Sequence, residues 1–520
     1  MKIVLINPPS STDPSQKSIP LNIMIIKSIL DEYYEDVEII DYDFMIKKGE
    51  FSKNDFIKQA IVQIEEIKPD LVGFTTNCSN YPIAIELALN ITEKLDKVRV
   101  FLGGPQASFA YKRTLERFLY INFIVVGEGE KTIRELAERN FILSSDIRGI
   151  SYRHNNEIVF TGERDLLTDF GGNKSIYETV DIKSYWEYIS RQEVPMIPIE
   201  VGRGCPMNCT FCCTSIFWKR KYRNKPIEKI VDEIVYLKDK YGIDSFSFVH
   251  DNLTFSSNYV IQLCDEILKK KLDIKWICSS RIDHLEASLV DLMKNSGCRG
   301  VFFGIESGSE EIQKSINKRI DVESVITTIK MVAEFGMYTT ASFILGFPGE
   351  KIDQLEKTLL LALECRRAGA YIEIQTLSPM LGTDIYNTYK DSCIFSENYY
   401  QRLWLDYSDL RIHKIIEEDI EIFNFFHSFE NYGDFNYIEL YNIYSLFVLV
   451  INNDAEALYA YYKKNTGVLK LYREIMGENK LSAITKVKDK AKFFSDMYKL
   501  YIKIRPVLYD SIERGGNPCA

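Results

Sequence analysis

The first 140 or so residues repeat one pattern: a short β-branched run, then turn-forming or polar residues, then an apolar stripe at helical spacing. Strands alternating with helical crossovers in this way predict a doubly wound parallel sheet. The strands fall at Lys2 to Ile6, Val37 to Ile40, Leu71 to Phe74, Val98 to Leu102 and Phe123 to Val126, and amphipathic helices lie between them. Such a flavodoxin-like unit binds ligands at the carboxyl ends of its strands. Those ends read Asn7-Pro8-Pro9, Asp41-Tyr42-Asp43, Thr75-Thr76-Asn77-Cys78, Gly103-Gly104-Pro105 and Gly127-Glu128-Gly129-Glu130. A single glycine pair here is ordinary turn chemistry, whereas five such ends in register suggest a bound cofactor.

A chain of 520 residues exceeds one ordinary core. We divide it into an N-terminal domain (1–145), a connecting region with a short hairpin (146–190), a second α/β unit (191–395) and a C-terminal helical domain (396–520). The second unit carries strands near Ile199 to Val201, Ser245 to Val249, Ile274 to Ser279, Gly300 to Gly304, Thr340 to Leu345 and Tyr371 to Leu377, which predicts a partial (β/α)6 barrel. The tail is rich in Tyr, Phe, Leu and Lys at helical spacing and reads as a helical cap.

Composition narrows the function. With 46% apolar and 27% charged residues the chain can pack as a globular protein. A net charge of −10 argues against a nucleic-acid partner. The longest apolar runs, such as Tyr444 to Ile451, fall far short of the roughly 20 residues that span a bilayer. The N-terminus starts on a strand-like segment, so we expect a cytoplasmic, unprocessed chain with no membrane span. The basic stretch Lys219 to Lys225 reads either as a solvated loop or as a cradle for an anion.

Eleven cysteines, an odd number, argue against a disulfide framework, and four of them crowd into Cys205 to Cys213. The segment Gly202-Arg203-Gly204-Cys205-Pro206-Met207-Asn208-Cys209-Thr210-Phe211-Cys212-Cys213 follows a strand. Its C-x3-C-x2-C spacing supplies three thiolates, which suits a four-iron cluster with one iron left open. A structural zinc site would want a fourth ligand, and Cys213 adjoins Cys212 and should point elsewhere. Cys264, Cys298, Cys365 and Cys393 read as core residues, and His250, His284, His413 and His427 lack the spacing of a metal site. Cys519 lies near the C-terminus, where it is either inert or a thiol that folds back on the site.

This loop, with Phe211 just before the third cysteine, resembles the radical SAM superfamily. The resemblance implies a [4Fe–4S] cluster on Cys205, Cys209 and Cys212, with S-adenosylmethionine on the open iron. It further implies that Asp251 and Asn252 meet the SAM amino group, that Ser280 is a cofactor contact beside Arg281, which pairs with the SAM carboxylate, and that Glu306 bonds its ribose or amino groups. Ser342 to Glu350, including Gly346, resembles the adenine-binding strand, and Leu377 at the sixth strand end is a further cofactor-binding candidate. Together with the N-terminal domain, residues 1 to 390 resemble the cobalamin-binding branch, with its features at Pro8-Pro9, Ile19-Pro20-Leu21, Gly103-Gly104-Pro105 and Gly127-Glu128-Gly129-Glu130. Pro8, Thr75, Thr76, Asn77, Gly103, Gly104, Gly127, Glu128 and Gly129 are therefore the candidate cobalamin contacts.

The first histidine of the chain is His154, so no axial imidazole comes from the N-terminal domain. Asn77 is either the residue nearest cobalt or a cap for the following helix. Methylthiotransferases resemble the same barrel but hold a second three-cysteine cluster, for which the N-terminal domain offers only Cys78. The implied activity is a methyltransferase that uses methylcobalamin and a 5′-deoxyadenosyl radical on an unactivated carbon of a peptide or natural product. Its partners would be a small-molecule or peptide substrate and an electron donor such as flavodoxin or ferredoxin. The alternatives are a non-methylating radical cyclisation or rearrangement, and a non-catalytic cobalamin sensor.

Overall fold

The structure is a computed structural model that describes residues 1–9, 19–52, 55–170, 174–396, 410–465, 467–472, 498, 501–502 and 504–509. Its first sheet contains β1 (Ile3–Asn7), β2 (Val37–Asp41), β3 (Leu71–Thr75), β4 (Arg99–Gly103), β5 (Phe123–Val125), β6 (Ile150–His154) and β7 (Glu157–Phe160). The strand order is β2-β1-β3-β4-β5-β6-β7. The first five strands pair in parallel, and β1, β3, β4 and β5 are almost wholly buried because helices cover both faces. The order reverses between β1 and β3, which opens a crevice beyond their carboxyl ends.

The hairpin expected in the connecting region is the edge of this sheet, because β6 pairs antiparallel with β5 and β7 with β6. The connecting region continues into a helix, Ile182–Ile189, which also packs on the first domain. There Tyr185 stacks on Phe44 at 3.9 Å and donates to Asp41 Oδ2 at 2.6 Å.

The second sheet joins β8 (Ile197–Glu200), β11 (Ser245–Val249), β12 (Lys275–Ser280), β13 (Cys298–Glu306), β14 (Tyr338–Leu345) and β15 (Tyr371–Thr376) in simple sequential order, all parallel. Between β8 and β11 lies a small antiparallel ribbon of β9 (Gly202–Arg203) and β10 (Arg223–Asn224). Alternation along β13 sends Val301, Phe303 and Ile305 into the core and leaves Phe302 on the other face, 36% exposed.

The tail is helical, as its spacing predicts, but it divides its packing between the two sheets. Residues 410–426 bury Ile412, Ile416, Ile422 and Phe423 in the first domain's core. Gln106 Nε2 donates to Ile422 O and Asn424 Oδ1, at 2.7 and 2.9 Å. A ribbon of β16 (Cys393–Phe395) and β17 (His427–Phe429) then leads to the helix Tyr437–Asn453, which packs on β15. The segment holding Cys519 lies outside the described residues.

An exposed edge strand invites pairing with another chain. Asn452 blunts this edge by standing in for a neighbouring strand: its Nδ2 donates to Ile372 O at 2.8 Å and its Oδ1 accepts from Ile372 N at 3.1 Å. Asn452→Ala leaves both backbone groups unpaired, and the expected cost is about 2 kcal/mol of stability, read by denaturant unfolding.

Candidate active site

The cysteine loop is tied at its neck. β9 leads into Cys205 and β10 closes the loop, with Arg203 opposite Arg223 and Gly202 opposite Asn224. Gly204 has φ +90°, and a Cβ there would lie 2.0 Å from Lys221 O, so only glycine lets the two arms approach. Its amide donates to Asp251 Oδ2 at 2.6 Å. Farther along, Thr210 N donates to Ile316 O at 3.0 Å, and Phe211 meets Phe347 edge-on at 5.8 Å between ring centroids.

Burial pushes the Cys209 thiol up to about 11; Lys318 and Arg281 pull it back, while Cys212 and Cys205 add to the rise. Cys205 is raised as well, by burial first and then, against the hydrogen bonds from Met207 and Asn252, by Cys212 and Asp251. Cys205 and Cys209 thus each lie within reach of Cys212. Among the described residues no three His, Cys, Asp or Glu side chains gather tightly enough for a single metal ion. Three separate thiols in one loop fit a multi-iron cluster, whose corners are bound one at a time. Cys213 begins the helix Cys213–Phe217, and its thiol is pushed to about 12 by burial, then by Cys212 and Cys78.

The barrel strand ends surround this loop, and several of the side chains expected at SAM also have partners within the protein. Asp251 is spent on Gly204 N. Asn252 Nδ2 donates to Cys205 Sγ at 3.8 Å. Ser280 Oγ donates to Arg281 O at 2.7 Å and also meets Thr254 Oγ1. Arg281, expected at a ligand carboxylate, forks onto Asp283 at 3.0 and 2.8 Å and donates to Lys318 O at 2.9 Å. Glu306, expected at the ribose, has φ +71° and pairs with Lys318 Nζ, both side chains being buried.

Ser342 stands beside Gly304 and Glu373 in the sheet register and is buried. Gly346, φ +88°, donates to Glu350 Oε2 at 2.7 Å; a Cβ there would strike Leu440 at 2.2 Å and Tyr432 at 2.8 Å, so this turn lies under the tail. Leu377 is buried and continues the pairing onto Leu345 O at 2.9 Å. Lys318, the cation shared by Glu306 and the Cys209 environment, follows a short helix and carries no motif that would reveal it in sequence.

The crevice of the first sheet opens into a cavity of about 660 Å³. Thr75, Thr76, Asn77, Gly103, Gly104, Gly127, Glu128 and Gly129 line it, together with Pro198, Glu200, Arg203, Phe217, Trp218 and Val249 from the barrel side. Pro8 is buried nearby but does not line it; Asn7, its neighbour, does. Gly104, φ +100°, presses so close that a Cβ would lie 2.3 Å from Thr76 O. Thr76 in turn donates through Oγ1 to Gly103 O at 2.8 Å. Gly127, φ +81°, has nothing within 4 Å of a built Cβ and presents bare backbone.

Asn77 Oδ1 accepts from Ser79 N at 2.9 Å and Asn80 N at 3.0 Å, so it caps the turn into the helix Tyr81–Lys94 while also facing the cavity. The cavity's inner wall is apolar, from Leu5, Ile25, Phe101, Val125 and Ile133. A deep, glycine-rimmed and largely apolar bay at a topological switch point fits a large cofactor carrying a flat heteroaromatic group.

Glu128, expected as a cofactor contact, lines the cavity and also ties the first sheet to the barrel. It accepts from Arg203 at 2.8 Å, from Arg223 at 2.9 Å and from Leu167 N at 2.7 Å. Arg203 also pairs with Glu130 at 2.8 Å and Glu200 at 2.7 Å, and its guanidinium lies over Phe170 and Trp218 at 4.7 and 5.6 Å. Burial alone would lower the Arg203 pKa, but Glu130, Glu200 and Glu128 outweigh it and hold the charge firmly.

Two outcomes are expected. Gly204→Ala forces the loop's arms apart, and bound iron after reconstitution falls severalfold while far-ultraviolet circular dichroism is retained. Asp41, which accepts from Asn7 at the cavity wall at 2.8 Å, is raised to about 6, by burial first and against the Tyr185 hydrogen bond. The folded state thus holds this proton more tightly than the unfolded chain, so stability falls as pH rises from about 4 through 6, by about 3 kcal/mol. In Asp41→Asn, urea unfolding at pH 4 and pH 7 should differ by correspondingly less.

The chain matches the radical SAM superfamily over residues 199–362 and the B12 binding domain over residues 13–137. It is 31% identical over 405 residues to an uncharacterized methyltransferase, PH0819, of Pyrococcus horikoshii, covering 74% of this chain and 82% of the relative. It is 26% identical over 355 residues to the anaerobic magnesium-protoporphyrin IX monomethyl ester cyclase of Synechocystis, covering 67% of this chain and 69% of the relative. Among solved structures it is similar to the cobalamin-dependent S-adenosylmethionine radical enzyme OxsB, with a TM-score of 0.65 at 15% identity, over 99% of this chain and 80% of that one. A cysteine loop at the strand ends of a partial barrel, its neck residue Arg203 lining a cavity at the switch point of a flavodoxin-like sheet, agrees with these likenesses, and the chain belongs to the radical SAM enzymes that carry a cobalamin-binding domain.

Proposed function

We propose that this chain is a cobalamin-dependent radical SAM methyltransferase that methylates an unactivated carbon of a small-molecule or peptide substrate. The observation that carries this reading is the position of Arg203, which stands at the neck of the cysteine loop and also lines the cavity, so that loop and cavity adjoin. When bound, SAM on a [4Fe–4S] cluster supplies hydrogen-abstracting radical chemistry and cobalamin supplies the methyl group. Cys205, Cys209 and Cys212 are the cluster ligands in this reading. The bare backbone of Gly127 and the turn at Thr75 to Asn77 border the cobalamin.

The substrate lies between them, against the barrel strands whose Val249 and Phe302 remain 42% and 36% exposed. Phe217 and Trp218, which line the cavity from the barrel side, help exclude water from the cleft. The match to PH0819, described as a methyltransferase, favours methylation; the cyclase relative is the reason to keep a non-methylating radical reaction as the second reading. A one-electron donor such as flavodoxin or ferredoxin and a cytoplasmic setting belong to the same proposal. No helix among the described residues is long and apolar enough to cross a membrane.

The test is anaerobic reconstitution with iron, sulfide and hydroxocobalamin, followed by reduction in the presence of SAM. Methylation predicts both 5′-deoxyadenosine and S-adenosylhomocysteine, and Cys209→Ala should lower both at least a hundredfold. 5′-Deoxyadenosine without S-adenosylhomocysteine in the wild type would replace methylation with the second reading.

A further inference from the structure

We propose that the Asn252 carboxamide is a positioning residue that raises the reduction potential of the cluster by donating a hydrogen bond to the Cys205 thiolate. The inference rests on the cluster reading above and concerns a role for Asn252 different from a SAM contact.

Asn252 is 1% exposed, and its Nδ2 lies 3.8 Å from Cys205 Sγ. Its orientation is settled by the other end of the amide, because Oδ1 accepts from Arg281 N at 3.4 Å, and an acceptor placed there leaves the nitrogen turned to sulfur. The backbone holds it too. Asn252 N donates to His250 Nδ1 at 3.1 Å, which puts the imidazole proton on Nε2, 3.3 Å from Asn224 Oδ1.

That imidazole packs against the neck of the cysteine loop. A Cβ on Gly202 would lie 2.3 Å from His250 Cδ2, so the ring fits only against glycine. Asn224 pairs with Gly202 in the ribbon that closes the loop. The preceding residue, Asp251, binds Gly204 N. Three consecutive side chains at one strand end are thus committed to the first cysteine, its neighbouring glycine and the ribbon behind them. Among the described residues, Asn252 is the side chain whose N–H donates to a sulfur of the triad.

One-electron reduction adds negative charge to a cluster and its thiolates. A fixed donor aimed at one of those sulfurs stabilises the reduced form more than the oxidised form, and burial strengthens the effect. Loss of the donor therefore lowers the potential without removing a ligand.

The experiment uses the full chain, reconstituted anaerobically with iron and sulfide, as wild type, Asn252→Leu and Asn252→Ala. Bound iron is measured first, then the cluster is titrated with titanium(III) citrate and followed by absorbance and electron paramagnetic resonance. Both variants are expected to keep wild-type iron while the reduced-to-oxidised ratio at a fixed poise falls about tenfold, a shift of about 59 mV for one electron. Asn252→Ala, which adds no bulk, decides the matter if the leucine variant fails to take up iron. An unchanged potential at full iron content overturns the role of Asn252 and leaves the cluster reading intact. A wild-type chain that binds no iron overturns the cluster reading and this inference with it.

Discussion

Arg203 sits where every part of the site meets. It stands in the neck of the cysteine loop, borders the cavity, and binds Glu128 and Glu130 from the first domain together with Glu200 from the barrel. A guanidinium so buried gains from its carboxylates little more than desolvation takes away, whereas losing one partner strands a charge at a cost of about 3 to 5 kcal/mol. The network therefore selects one arrangement of the two sheets more than it adds net stability. Phe170 and Trp218 over its faces exclude water and sharpen that selection.

The charged strand ends of the barrel follow the same logic. Arg281 with Asp283, Lys318 with Glu306 and Asp251 with Gly204 N are each satisfied within the protein, close to the three cysteines. Groups held this way stand in fixed positions, and fixed dipoles and charges at a low-dielectric site need no rearrangement when charge develops nearby. The tail adds the remaining constraint. Its first part docks on the first domain through Gln106, and Asn424 Nδ2 reaches Pro379 O on the barrel side at 2.9 Å. Its long helix covers the barrel's open edge. One segment thus spans both sheets and restrains their separation.

The strands of both sheets were legible because their cues are local: β-branched runs, a period of two or 3.6, and glycine at the turns. Their observed ends lie within two residues of the expected ones, by one at β1 and β12 and by two at each end of β13, because termini depend on pairing partners. The C-x3-C-x2-C loop was legible for a related reason, since all three sulfurs lie within one turn of chain and their spacing alone limits what they can bind. Eight of the nine residues named as cobalamin candidates line the cavity, because the strand ends on either side of a topological switch point open onto one crevice.

What no local pattern contains is partnership across the chain. Glu128 reads as one more polar residue at a strand end until Arg203, 75 positions away, closes on it. Lys318, the fork of Arg281 onto Asp283 and the split of the tail between two domains are likewise decided by which surfaces meet. The sequence by itself determined two α/β units, a three-thiolate loop and a glycine-rimmed strand edge, since each follows from backbone geometry over a few residues. Only the tertiary structure decided which charged side chains pair with one another, because a buried charge takes the nearest opposite charge in space, whatever its distance along the chain.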